Sequence, residues 1–111
     1  MSTAAQPEGK ITKTVVDHIK SLPKGHARKV HQDRFSGGEP DVDAVIDGRA
    51  VKIEVKVPGK KPTPRQMAVM RRWEPTGVLV GWVVSLDEAK ALLEHLDDPD
   101  WRNPQLARDE A

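Results

Sequence analysis

Apolar positions early in the chain recur at helical spacing: Ile11, Val15, Val16, Ile19 and Leu22 share one stripe of PEGKITKTVVDHIKSL. Pro7 is tolerated in a first turn, and Pro23 with Gly25 ends the segment. The spacing predicts a helix with Glu8 at its inward-facing edge, one turn before Ile11. HARKVHQDRF is a weaker strand candidate, followed by the loop SGGEP. In DVDAVIDGRAVKIEVKV the period shifts to two, and Asp47-Gly48 between two β-rich runs reads as a two-residue hairpin turn, since both positions tolerate positive φ. That turn sets Ile46 opposite Arg49, Ala44 opposite Val51 and Val42 opposite Ile53, and carried outward it sets Asp41 opposite Glu54. Alternate residues share a face. Val42, Ala44, Ile46, Val51, Ile53 and Val55 therefore form an apolar side, and Asp41, Asp43, Lys52, Glu54 and Lys56 a polar one.

KKPTPRQMAVMRRW reads as a loop leading into a helix, with Thr63 as N-cap, Pro64 at the first helical position and Gln66 completing a capping box. Gln66, Val69, Met70 and Trp73 fall on one stripe. GVLVGWVVS is a near-continuous apolar run of strand length, which predicts a strand covered on both faces. Ser85 and Glu88 cap a last helix that turns Leu86, Ala89, Leu92, Leu93 and Leu96 inward. The order is helix, three strands, helix, strand, helix: an α/β sandwich around a short mixed sheet. A single domain is expected over residues 1–96, with an acidic, partly flexible tail over 97–111.

The 111 residues suit one domain, and no apolar run nears the ~18 residues of a membrane span. MSTAAQPEGK lacks the basic start and apolar stretch of a secretory signal. With no cysteine, disulfides and thiolate zinc sites are excluded. The net charge of +1 conceals an asymmetry: residues 10–72 carry 15 Lys and Arg against 7 Asp and Glu, whereas residues 73–111 carry 3 against 9. A basic first two-thirds suits a polyanion such as nucleic acid, although a solvated surface accounts for it equally well.

Directly opposed hairpin residues hold their Cβ atoms roughly 4.5–5.5 Å apart, so Asp41 and Glu54 are expected as neighbouring carboxylates. Two like charges there destabilise the pair unless positive charge lies between them. Lys56, two residues along the same face, supplies one charge, and a divalent cation would supply more. Oxygen ligands favour a hard ion such as Mg²⁺ or Mn²⁺, which polarises a phosphoryl oxygen and acidifies a bound water. Lys56 could orient that water or stabilise charge developing on the phosphate. Spacing alone leaves a second account open, a solvent-facing sheet surface with cross-strand ion pairs.

EPD, ending at Asp41, and IEVK, with Glu54 thirteen positions later and then Lys56, resemble the PD-(D/E)xK nuclease signature. SGGEPD, DGRAVKIEVK and PRQ at 64–66 resemble one branch of it in particular, the virus-type replication-repair nuclease (VRR-NUC) domain, and Glu8 matches that family's first-helix glutamate. The resemblance spans roughly residues 8–95. It implies a restriction-endonuclease-like αβββαβα core in a stand-alone domain. It also implies a Mg²⁺- or Mn²⁺-dependent endodeoxyribonuclease, selective for branched DNA such as four-way junctions, acting as a homodimer in the cytoplasm of a bacterial or phage-infected cell. Asp41 and Glu54 become primary metal ligands, the carbonyl of Val55 completes the site, and Glu8 contributes through water or a second metal. Lys56 is the catalytic amine. Gln66 supports site or substrate, a role compatible with capping. Glu39, just before Pro40, is a departure from the pattern that spares the ligands. Lys24, Arg28, Lys29, Arg34, Lys60, Lys61 and Arg65 are candidate phosphate contacts, which give affinity rather than sequence reading. Two other readings stand beside this one: a phage nuclease cutting duplexes or flaps, and a non-catalytic DNA-binding module of the same fold. His18, His26, His31 and His95 show no ligand spacing, and Trp73, Trp82 and Trp101 are expected in packing.

Overall fold

Asp47 and Gly48 take φ values of 48° and 84°, the primed-turn geometry whose twist matches the strands on either side. In the computed structural model, which describes residues 7–31 and 37–108, this turn joins β2 (Val42–Ile46) to β3 (Arg49–Val55). The pairing runs from Ile46–Arg49 through Ala44–Val51 to Val42–Ile53, the register expected from the turn. β1 (Gly25–Lys29) lies antiparallel against β2, and β4 (Leu79–Val83) lies parallel against β3. The sheet order is β1-β2-β3-β4.

Three helices cover the sheet: α1 (Glu8–Ser21), α2 (Pro64–Trp73) and α3 (Leu86–Leu93). The apolar faces of β2 and β3 pack with Ile11, Val15 and Ile19 of α1 and with Ala89, Leu92 and Leu93 of α3. On the opposite side, Met70 of α2 packs with Val80 and Leu106, flanked by Met67, Trp73 and Trp82. β4 is thus covered on both faces, as its unbroken apolar run requires. A parallel pair needs a crossover, and α2 supplies it. Its start carries the full capping box: Gln66 N donates to Thr63 Oγ1 at 3.1 Å, and Thr63 N donates to Gln66 Oε1 at 2.9 Å. Among the described residues, no helix is long and apolar enough to cross a membrane.

Three elements differ from the sequence reading. The first strand occupies Gly25–Lys29, earlier than the HARKVHQDRF segment suggested, and residues 32–36 lie outside the described chain. Glu8 is exposed instead of inward-facing, because the buried stripe of α1 begins one turn later, at Ile11 and Thr12.

The C-terminal segment, expected as an acidic and partly flexible tail, packs on the domain as far as Leu106. A 3₁₀ turn, Pro104–Leu106, buries Leu106, and Asn103 is also buried. β4 would otherwise present an open edge of unpaired amides and carbonyls. Instead Asn103 Nδ2 donates to Val80 O at 3.0 Å, Trp82 N donates to Gln105 Oε1 at 3.1 Å, and Gln105 Nε2 donates to Trp82 O at 2.9 Å. Two side-chain amides therefore stand in for a fifth strand. Arg71 Nε fastens the turn to α2 by donating to Leu106 O at 2.8 Å. Residues 109–111 lie outside the described chain.

Candidate active site

Asp41 enters the sheet from a loop clamped against α2. Gly38 has φ 100° and lies so close to α2 that a Cβ there would stand 3.1 Å from both Arg65 Cγ and Val69 Cγ2; backbone and space both call for glycine. The next residue, Glu39, accepts a hydrogen bond from Trp73 Nε1 at 2.9 Å, and Pro40 is buried. The acidic departure from the family pattern is thus a tie between this loop and the end of α2. Val30 N donates to Asp41 O at 2.7 Å, and Val55 N donates to Asp41 Oδ2 at 2.9 Å. The carboxylate is held across the β2–β3 junction, beside Glu54.

Glu54 is 1% exposed, which removes the account of a solvent-facing sheet surface. Its Oε2 lies 3.4 Å from Lys56 Nζ, and Lys56 is itself only 13% exposed. Its Oε1 is buried without a hydrogen-bond partner. Burial, followed by the charge of Asp41, pushes the Glu54 carboxyl from 4.5 up to about 8, and Lys56 pulls the other way. Two acidic side chains and one amine thus share a site largely closed to water, with the positive charge too weak to balance both acids. The amide of Lys56 donates to Val83 O at 2.9 Å, extending the β3–β4 ladder one residue past Val55 and fixing where the amine begins.

A second group of charges borders this one. Lys52 Nζ lies 2.5 Å from Asp43 Oδ1 and 4.3 Å from the centre of the Trp73 ring, and Arg28 reaches Asp43 at 3.6 Å. The Asp43–Lys52 pairing follows from the hairpin register. The Trp73 contact does not, because it depends on where α2 lands.

The remaining sequence candidates distribute unevenly. Gln66 is half-buried and its Oε1 serves the capping box. Val55 is buried, with its amide committed to Asp41. Among the described residues, no three His, Asp or Glu side chains form a group able to hold a metal ion, so Glu8 is not gathered with Asp41 and Glu54. Lys29 pairs with Val42, at the same end of the sheet as Asp41, and Arg28 lies one pair further back. Lys60 and Lys61 are exposed on the loop after β3, and Arg65 packs over residues 37 and 38. Lys24 is elsewhere: it ion-pairs with Asp47 at 3.5 Å, at the hairpin-turn end, roughly 20 Å along the strand from Asp41. Arg34 lies outside the described residues.

A four-stranded mixed sheet between helices, with an aspartate at one strand end, a buried glutamate on the next strand and a lysine two residues on, defines a restriction-endonuclease-like α/β domain. Comparison with solved structures narrows the class. One, a VRR-NUC domain, superposes with a TM-score of 0.67 at 30% identity, over 79% of this chain and 95% of that one. A second, a VRR-NUC domain protein, superposes with a TM-score of 0.64 over 86% of this chain and 92% of that one; at 18% identity it supports the fold alone. No family model matches the sequence, and no curated protein does. On the first of these matches, the chain belongs to the VRR-NUC nuclease-domain family.

Proposed function

We propose that the protein is a Mg²⁺- or Mn²⁺-dependent endodeoxyribonuclease that hydrolyses phosphodiester bonds and prefers branched DNA, four-way junctions above all. The observation that carries this reading is Glu54 Oε1, a buried carboxylate oxygen without a partner next to a second acid. An unsatisfied buried acceptor is costly and rare in native structures, and a cation is the partner that would relieve both it and the Asp41–Glu54 repulsion. The donors are all oxygen, which fits a hard divalent ion. Asp41, Glu54 and the Val55 carbonyl would hold it, with Glu8 contributing through water. When bound, such an ion supplies Lewis-acid polarisation of the phosphate and lowers the pKa of water.

The chain's own groups do the rest. The Val55 amide locks the Asp41 carboxylate in place. Lys56, held against Glu54 and shielded from solvent, stabilises the charge that develops on the phosphate oxygens as the nucleophile attacks. Gln66, its carbonyl oxygen committed to the cap, keeps its amide NH₂ for the substrate. Arg28, Lys29, Lys60, Lys61 and Arg65 neutralise backbone phosphates on either side. Cutting a junction symmetrically takes two such sites, which calls for a homodimer with twofold symmetry.

The deciding assay incubates the purified protein with labelled four-way junction, flap, single-stranded and linear duplex DNA, with Mn²⁺ and then with EDTA. The junction should be cut best, and chelation should abolish cutting. Equal cutting of all four would replace the junction preference with a general nuclease. DNA binding without any metal-dependent cleavage would make the domain a binding module.

A further inference from the structure

A cavity of about 580 Å³ opens where the loop after β3 meets the C-terminal end of β4, α3 and the segment around Trp101. The size falls within the range of small-ligand sites. Two features of its wall have distinct chemistry: Lys60 and Lys61 stand at one side, and Trp82 and Trp101 line it, the latter stacked on His95 with ring centres 3.6 Å apart. None of Asp41, Glu54 and Lys56 lines the cavity, which lies one strand over from them. Trp82 is the direct ladder partner of Glu54, on strands about 4.8 Å apart.

We propose that this cavity receives one unpaired nucleotide of the DNA strand beside the cleaved phosphate, its base against Trp82 and Trp101 and its phosphates on Lys60 and Lys61. The assignment rests on the nuclease reading for its position relative to the cut. Exposed lysines alone would serve any phosphate backbone. The aromatic wall adds what only a base freed from its stack can use, a π-face to lie against. Base-edge recognition is not provided by the nearby amides: Asn103 Nδ2 donates to Val80 O and Gln105 Oε1, and the Gln105 side chain pairs with both backbone groups of Trp82. Occupancy is therefore tolerant of sequence. A pocket for an unpaired nucleotide next to the cut also favours DNA whose strands part near the phosphate, as at a branch.

The test uses the full chain in EDTA, so that binding is read without cleavage, and follows the ¹H–¹⁵N indole signals of its tryptophans. Probes are single-stranded pentathymidylate and the same pentamer with abasic sugars throughout. Pentathymidylate should shift Trp82 and Trp101 while leaving Trp73, bonded to Glu39, in place. The abasic strand should bind ~10-fold more weakly, and a double Lys60→Ala, Lys61→Ala variant should weaken both strands. Deoxycytidine or deoxyadenosine pentamers should bind within about threefold of thymidine, as sequence-tolerant stacking requires. Equal affinity for the abasic and base-carrying strands, or shifts confined to Trp73, would overturn the proposal even if junctions are cut. Base-dependent shifts of Trp82 and Trp101 in a protein that cuts nothing would keep the nucleotide site and remove the nuclease.

Discussion

Asp41 Oδ2 accepts the amide hydrogen of Val55 at 2.9 Å, so the strand that carries Glu54 also aims the acid facing it. The two carboxylates cannot move apart without breaking that hydrogen bond, and burial, reinforced by the charge of Asp41, raises the affinity of Glu54 for a proton in the folded state.

That raised affinity has a signature in stability. Glu54 titrates near 4.5 when unfolded and near 8 when folded, so between those values the folded state binds more protons than the unfolded one. The contribution of Glu54 to stability is then fully present below about pH 4.5, falls as pH rises and levels off above about pH 8. The loss is on the order of a few kcal/mol. Without divalent cation, thermal unfolding of the wild type should show this decline, and Glu54→Gln, which cannot ionise, should flatten it and be the more stable protein at pH 8.5. A wild type with unchanged melting temperature across this window would show that Glu54 is charged throughout.

Lys56→Ala should separate binding from chemistry. The amine is mostly buried against Glu54, so it adds little to long-range attraction for DNA, whereas its position suits charge developing on a phosphate. Cleavage should fall ~100-fold or more, the scale of losing one preorganised donor. Affinity for an uncut junction, measured by gel shift in EDTA, should stay within a few-fold of wild type. A loss of affinity that matched the loss of rate would assign Lys56 to docking.

The cations should divide by their place along the sheet. Lys29 sits at the Asp41 end, whereas Lys24 sits beside Asp47 at the other. Lys29→Ala should weaken DNA binding and lower the slope of log affinity against log salt by about 1, the mark of one lost phosphate contact. Lys24→Ala should leave the slope unchanged. A change for Lys24 alone would place the DNA along the hairpin turn.

How much of this was legible in the sequence follows the range of the contacts involved. The hairpin register, and with it the Asp41–Glu54 juxtaposition, depends on two turn residues with positive φ and a period of two, all within fifteen residues. The Thr63–Gln66 capping box is equally local. The burial of Glu54 is not local: on the same face of β3, Trp73 of α2 lies over Lys52 and also holds Glu39, 34 positions away. Helical periodicity placed Glu8 on an inward stripe, but a stripe continues to the helix end whether or not anything packs over the first turn. The docking of Asn103 and Gln105 leaves no hydrophobic period to read, because amide side chains make it and only the open edge of β4 explains it.

That edge supplies the last prediction. A Cβ on Gly81 would lie 2.5 Å from Asn103 Nδ2 and 3.0 Å from Gln105 Oε1, so Gly81→Ala must displace the two side-chain amides that tie the C-terminal segment to β4. Overpacking at such a site costs about 1–3 kcal/mol, and the Trp82 amide loses its acceptor, Gln105 Oε1. Hydrogen exchange at Trp82 should therefore accelerate in Gly81→Ala more than exchange at Val51 or Ile53 in the sheet centre. Asn103→Ala, which removes one bond without a clash, should show a smaller rise at the same amide. Exposed backbone on β4 is also a template for a second chain, so Gly81→Ala should associate at concentrations where wild type does not change its sedimentation. Uniform acceleration across the whole sheet would mean that the substitution weakens the entire fold and that the segment has no separate role as an edge cover.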